Sequence, residues 1–126
     1  MSQVDKAEIL ALIRRAKSSH IRWRSYAQGL VNGVPVDDDK APVRHTDCRF
    51  GQWYFGEGTR LLSDLEVFRN IQAPHEMLHG IYEQIHGLVA RNELEAAMGK
   101  LQQLVEISRT LLEQIELLEQ EVNARW

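Results

Sequence analysis

The segment His75-Glu76-Met77-Leu78-His79 carries two imidazoles four residues apart with a carboxylate beside the first. On a helix, positions i and i+4 face the same way, so the pair can share one metal ion, and the glutamate then stands where the H-E-x-x-H zinc peptidases keep a general base. Two further donors lie far away in the chain, His20 and the only cysteine, Cys48. Three imidazoles and one thiolate make a complete tetrahedral zinc shell, at ~2.0 Å to nitrogen and ~2.3 Å to sulfur. A hydrolytic zinc keeps three protein ligands and leaves the fourth position to water. If the thiolate takes the water's place, the H-E-x-x-H match is a coincidence and Glu76 is a solvated or turn-capping carboxylate. A metallopeptidase then remains only as a remote alternative, and the chain is expected not to be an enzyme.

Each donor also has a plain structural reading. His20 interrupts an apolar stripe, where a hydrogen-bonded core histidine would sit. The pair His75/His79 could arise on any helix surface. A lone cysteine is often a small buried hydrophobe, although it can also be a reactive thiol or a metal ligand. Convergence changes the balance. Three separate segments each deliver a soft or borderline donor, and a helical bundle can bring them to one interior point.

The elements that must position these residues read as helices throughout. Ile9, Ile13, Ala16, His20, Trp23, Ala27 and Leu30 recur at alternating spacings of four and three, predicting one helix from about Val4 to Leu30. From Val31 to His45 the pattern lapses into turn chemistry: Asn32-Gly33, Pro35, Asp37-Asp38-Asp39 and Pro42. The three aspartates lack the spacing of a calcium loop and read as solvated. Thr46 or Asp47 can cap a short helix starting near Cys48, which Gly56 and Gly58 would end. A thiol at a helix N-terminus sits in a positive field that favours thiolate.

A further segment, Thr59 to Asn70, offers Leu61, Leu62, Leu65 and Phe68 to a core. Pro74 either opens a new helix in its first turn or kinks a longer one. Met77, Leu78, Ile81, Tyr82, Ile85, Leu88 and Val89 carry the pattern on to Ala90. A last helix over Asn92 to Ala124 shows a heptad-like seam of Leu94, Met98, Leu101, Val105, Leu112 and Ile115. The expected fold is all-α: an antiparallel four-helix bundle with an additional short helix carrying the cysteine, in one domain over residues 1–126.

Composition excludes several classes of function. A net charge of −3 gives no electrostatic reason for nucleic acid to be the partner. The basic cluster of Arg14, Arg15, Lys17, Arg22 and Arg24 reads as a solvated face. No apolar run approaches the ~20 residues of a membrane span, and the N-terminus lacks the layout of a secretion signal. One cysteine permits no intrachain disulfide, and a lone thiol fits a reducing cytoplasm.

The combination of His20-x-x-Trp23-Arg24, "CRFGQWY" from Cys48 to Tyr54, and "PHEMLH" from Pro74 to His79 resembles the chemoreceptor zinc-binding (CZB) domain of bacteria, over about residues 9–115. The resemblance implies one zinc held by His20, Cys48, His75 and His79. Gln52 departs from the basic residue usual at its position, which is not a ligand. His45, three residues before Cys48, then reads as a partner of a ligand, a substitute ligand or a surface imidazole, with the last two favoured, and His86 as a packing or surface histidine. Trp23 and Trp53 would wall the site, although core packing would also explain both.

The family's members look like regulatory parts of chemoreceptors and diguanylate cyclases that report zinc or oxidants such as hypochlorous acid, and they commonly form homodimers. This chain is therefore expected to be a stand-alone cytoplasmic sensor, with a chemoreceptor or other signalling protein as its partner. Met1 and the complete-looking helices fit a stand-alone member. The competing expectation is a helical protein-interaction module whose zinc is purely structural.

Overall fold

The computed structural model describes residues 3–34 and 48–125. The aspartate run Asp37–Asp39, Pro35, Pro42, His45 and the candidate caps Thr46 and Asp47 lie outside the described residues. Among the described residues the secondary structure is entirely helical, so the all-α expectation holds.

The N-terminal stripe is buried as its spacing predicts: Ile9, Ile13, Ala16, His20, Trp23, Ala27 and Leu30 all face inward. The helix carrying it is divided, however, into α1 (Gln3–Ile21) and α2 (Trp23–Val31). At Arg22 one turn tightens. Its amide donates to the Ser19 carbonyl three residues back at 3.2 Å, and Tyr26 N–H then donates to Arg22 O at 3.1 Å. The inward stripe runs through this break, which is why periodicity did not reveal it.

Cys48 is extended (φ −75°, ψ 136°) and forms the N-cap of α3 (Arg49–Trp53). Beyond it the sequence expectation fails, because Gly56 and Gly58 do not end the helix. The chain passes through a π-helical turn, Tyr54–Gly58, straight into α4 (Thr59–Leu62), and Gly58 is itself helical at φ −60°, ψ −48°. Gly58 is needed for contact rather than for termination. A Cβ there would lie 3.1 Å from the Trp53 carbonyl oxygen and 3.2 Å from both the Trp53 and Phe68 rings. The expected helix Thr59–Asn70 is broken as well, since Leu65 is extended (φ −86°, ψ 123°) ahead of α5 (Glu66–Arg69). Leu62, Leu65 and Phe68 are nonetheless buried as predicted, and Leu61 is half-buried.

Pro74 starts a helix rather than kinking one. It is the third residue of α6 (Gln72–Ala90), within the first turn, where a missing N–H leaves no hydrogen bond unmade. Between α6 and α7 (Leu94–Arg125) the chain reverses through Asn92, whose φ of 59° is left-handed, a conformation asparagine tolerates. Glu93 N–H closes the turn on Leu88 O at 2.8 Å. α7 has 32 residues and is therefore ~48 Å long. It packs along α6, α1, α2 and α5.

The buried face of α7 is not the expected seam. Leu94 and Met98 are 42% and 57% exposed, Leu101, Val105 and Leu112 are half-buried, and of that row only Ile115 is fully inside. The core row is Ala97, Leu104, Ser108, Leu111, Ile115, Leu118 and Val122. Both rows are apolar and helical in spacing, and the neighbouring helices decide which one is covered. Met77 on α6 likewise faces solvent.

Candidate metal centre

His20 sits in the last turn of α1. Its Nδ1 lies 2.8 Å from the Ala16 carbonyl oxygen. A carbonyl can only accept, so Nδ1 carries the proton and Nε2 presents its lone pair. That Nε2 is buried with no hydrogen-bond partner among the described residues. A buried imidazole with one nitrogen fixed by the backbone and the other bare is the arrangement a metal-ligating histidine requires. His75 and His79 stand one turn apart on α6, both buried, with their rings 4.7 Å apart and nearly perpendicular. Cys48 reaches the same point from the head of α3 and is buried too.

One donor atom from each of His20, Cys48, His75 and His79 falls within 4.8 Å of every other. The edge of a tetrahedral zinc shell is ~3.3 Å for Zn–N bonds of ~2.0 Å, so modest contraction closes the cluster on an ion. The donors are three imidazoles and one thiol, a set suited to zinc. Glu76 is not among the clustered donors. Its carboxylate accepts from Gln72 Nε2 at 3.2 Å.

Aromatic rings pack against the three histidines. Trp23 stacks parallel to His20 at 6.0 Å, meets His79 edge-on at 4.5 Å and continues to Tyr82 at 4.6 Å. Phe50 stands edge-on to His20 at 5.7 Å and to His75 at 5.2 Å.

A family model for the chemoreceptor zinc-binding domain matches residues 20–86. The matched span opens on His20 and contains Cys48, His75 and His79. The chain belongs to the chemoreceptor zinc-binding domain family. Comparison with curated proteins and with solved structures gave no match. The CZB family is a zinc-binding signalling domain and not a known catalytic family. None of the described helices is long and apolar enough to cross a membrane.

Within this CZB domain the two tryptophans differ in place. Trp23 walls the cluster, as its position beside His20 suggests. Trp53 lies one layer out, 5.9 Å from Phe50 and 6.2 Å from Phe68. The wall on that side is Phe50, which sequence reasoning missed. The available signal was its place at the head of the four-residue spacing Phe50, Tyr54, Gly58 and Leu62. His86 lies outside the cluster and packs edge-on against Tyr82 at 4.8 Å.

Burial dominates the electrostatics of the centre. It lowers the pKa of His20, with the Ala16 hydrogen bond acting weakly the other way. It raises the pKa of Cys48, and the backbone amides of Gly51 and Phe50 oppose it only in part. The expected helix-end field is therefore present but overruled, and without metal the thiol keeps its proton. Both shifts favour neutral groups, which is the state in which a dry cluster of donors waits for a cation.

Proposed function

We propose that this chain is a zinc-binding regulatory domain of bacterial signalling, of the chemotaxis or cyclic-di-GMP type, without catalysis of its own. It binds one Zn²⁺ through His20, Cys48, His75 and His79. The observation that carries this reading is the convergence of four buried donors from three separate segments on one point. The helices act as an antiparallel four-helix bundle around the centre, with the short α3 presenting the cysteine.

A bound zinc neutralises the thiolate and fixes the relative positions of α1, α6 and the Cys48 segment. Its binding releases the Cys48 proton, so occupancy follows both zinc supply and pH. An oxidant supplies a second input: hypochlorous acid converts the thiolate to a sulfenic acid with release of chloride, removing the soft donor. The domain works in the cytoplasm, as a homodimer or bound to a chemoreceptor or another signalling protein. Leu94 and Met98, exposed on α7, support such a contact.

One observation favours the alternative, a purely structural zinc in a helical interaction module: Cys48 is almost fully buried. Thiol labelling of the folded protein with and without chelator separates the two, since only a switch exposes Cys48 when zinc leaves. Zinc-edge X-ray absorption on untagged protein tests the ligand set. One sulfur and three nitrogens per zinc are expected. A shell of nitrogen and oxygen alone would refute it and reopen the peptidase reading.

A further inference from the structure

The π-turn Tyr54–Gly58 stands between the cysteine and the core, and its geometry has a sequence cause. Phe50, Tyr54, Gly58 and Leu62 are all buried and recur every four residues. At ~100° per residue, an α-helix would turn Leu62 about 120° away from Phe50 over that distance. A π-turn absorbs one residue, which cuts the drift to about 20° and keeps all four on one face.

The turn is held in place from both sides. Tyr54 donates its hydroxyl proton to the Phe68 carbonyl at 2.6 Å and stacks on the Phe68 ring at 4.2 Å. Thr59 Oγ1 donates to the Tyr54 carbonyl at 2.6 Å. Gly58 has no side chain, which lets the Trp53 carbonyl and ring occupy the space a Cβ would fill. At the other end Cys48 belongs to the metal cluster, and Phe50 packs edge-on against His20 and His75.

We infer that the π-turn is a one-residue register device: zinc bound to Cys48 holds the π form, and loss of the metal lets the turn anneal to α-helix. Annealing rotates Cys48–Tyr54 by about 100° against α4 and shifts it by ~1.5 Å along the axis. Tyr54 leaves Phe68, Cys48 leaves the site, and the exposed Phe55 changes face. This rests on the zinc-responsive reading above and specifies how the Cys48 segment moves.

The test deletes Gly56, which is exposed and whose Cβ position meets no side chain or other element within 4 Å beyond its own helical turn. Without that residue the run from Arg49 to Leu62 becomes one α-helix with both flanking faces kept, so it has a single register. Zinc-edge absorption on the deletion should still show one sulfur and three nitrogens. Hydrogen exchange over residues 48–62 should rise on chelation in the wild type and stay unchanged in the deletion. Equal rises in both overturn the register device while leaving a zinc-responsive segment. No rise in either overturns the zinc-responsive reading and the device with it. Loss of the sulfur ligand in a folded deletion also overturns the device. Gly58→Ala provides the converse: it crowds the π form, so zinc should lose its sulfur and keep its nitrogens with helix content intact. A folded Gly58→Ala protein with wild-type sulfur coordination and wild-type exchange counts against the inference.

Discussion

Ser108 is the one polar side chain in the core row of α7, fully buried, and its hydroxyl has no hydrogen-bond partner among the described residues. Its replacement by alanine tests whether that hydroxyl serves the metal centre. Counting from the α6–α7 turn, Ser108 lies about 21 Å along α7 and His75 about 22 Å along α6, so the hydroxyl is near the level of the cluster. A buried hydroxyl left unbonded costs ~1–3 kcal/mol. Removing it also improves helix propensity by about 0.5 kcal/mol and forfeits a few contacts of ~0.1–0.2 kcal/mol each. The net expectation for Ser108→Ala is a gain of about 1–2 kcal/mol. For a chain of 126 residues the unfolding entropy is ~0.26 kcal/mol/K, so Tm rises by about 4–8 °C. Thermal unfolding followed by circular dichroism, with and without zinc, is the assay, paired with a zinc competition titration. The gain should appear in both forms and zinc affinity should not change. A lower Tm, or a tenfold loss of zinc affinity, would refute the argument and make Ser108 a partner of a metal ligand.

Other expectations concern the centre and the surface. The metal-free protein should be most stable between about pH 6.5 and 8.5, the ordinary values of histidine and cysteine. His20 has a lowered pKa in the fold, so its contribution is present above about 6.5 and is lost as pH falls towards the lowered value. Cys48 has a raised one, so its contribution is present below about 8.5 and is lost as pH rises through the raised value. Urea midpoints across pH check this, and a profile rising steadily from pH 5 to 10 would contradict it. Phe50→Ala should cost about 3–5 kcal/mol and speed zinc removal by a chelator, measured by stopped flow; unchanged release would mean Phe50 does not seal the site. If α7 carries the dimer contact, Met98→Glu should shift sedimentation to monomer while leaving the zinc site intact.

The cluster was legible because ligand chemistry is a property of residue type. Histidine inside an apolar stripe and a cysteine ahead of a helix announce themselves without coordinates. The buried faces of α1 and α2 were legible for a related reason, since period alone defines a stripe. What periodicity cannot register is a break that preserves the stripe, as at Arg22, or an insertion that restores one. The four-residue spacing from Phe50 to Leu62 did hold the signal for the π-turn, but Gly56 and Gly58 drew the reading towards helix termination. α7 failed differently. Leucines occupy both the Leu104/Leu111/Leu118 row and the Leu94/Leu101/Leu112 row, and only the neighbours α1 and α6 choose between them. The raised pKa of Cys48 was illegible because it depends on how completely the segment is covered.

With zinc bound, the chain has the connectivity of a cross-linked polymer. Under the proposed ligand set the metal joins residue 20 to residue 48 and residue 48 to residue 75, closing two rings of roughly thirty residues each. A permanent cross-link of that size restricts the unfolded chain by about 3–4 kcal/mol. α7 lies wholly outside both rings and anchors α1, α2, α5 and α6 by packing, with an ion pair from Glu119 to Arg14 on α1. Losing the ion therefore opens the rings without detaching that scaffold. The slack released gathers in the middle of the chain, on the segment that carries Cys48.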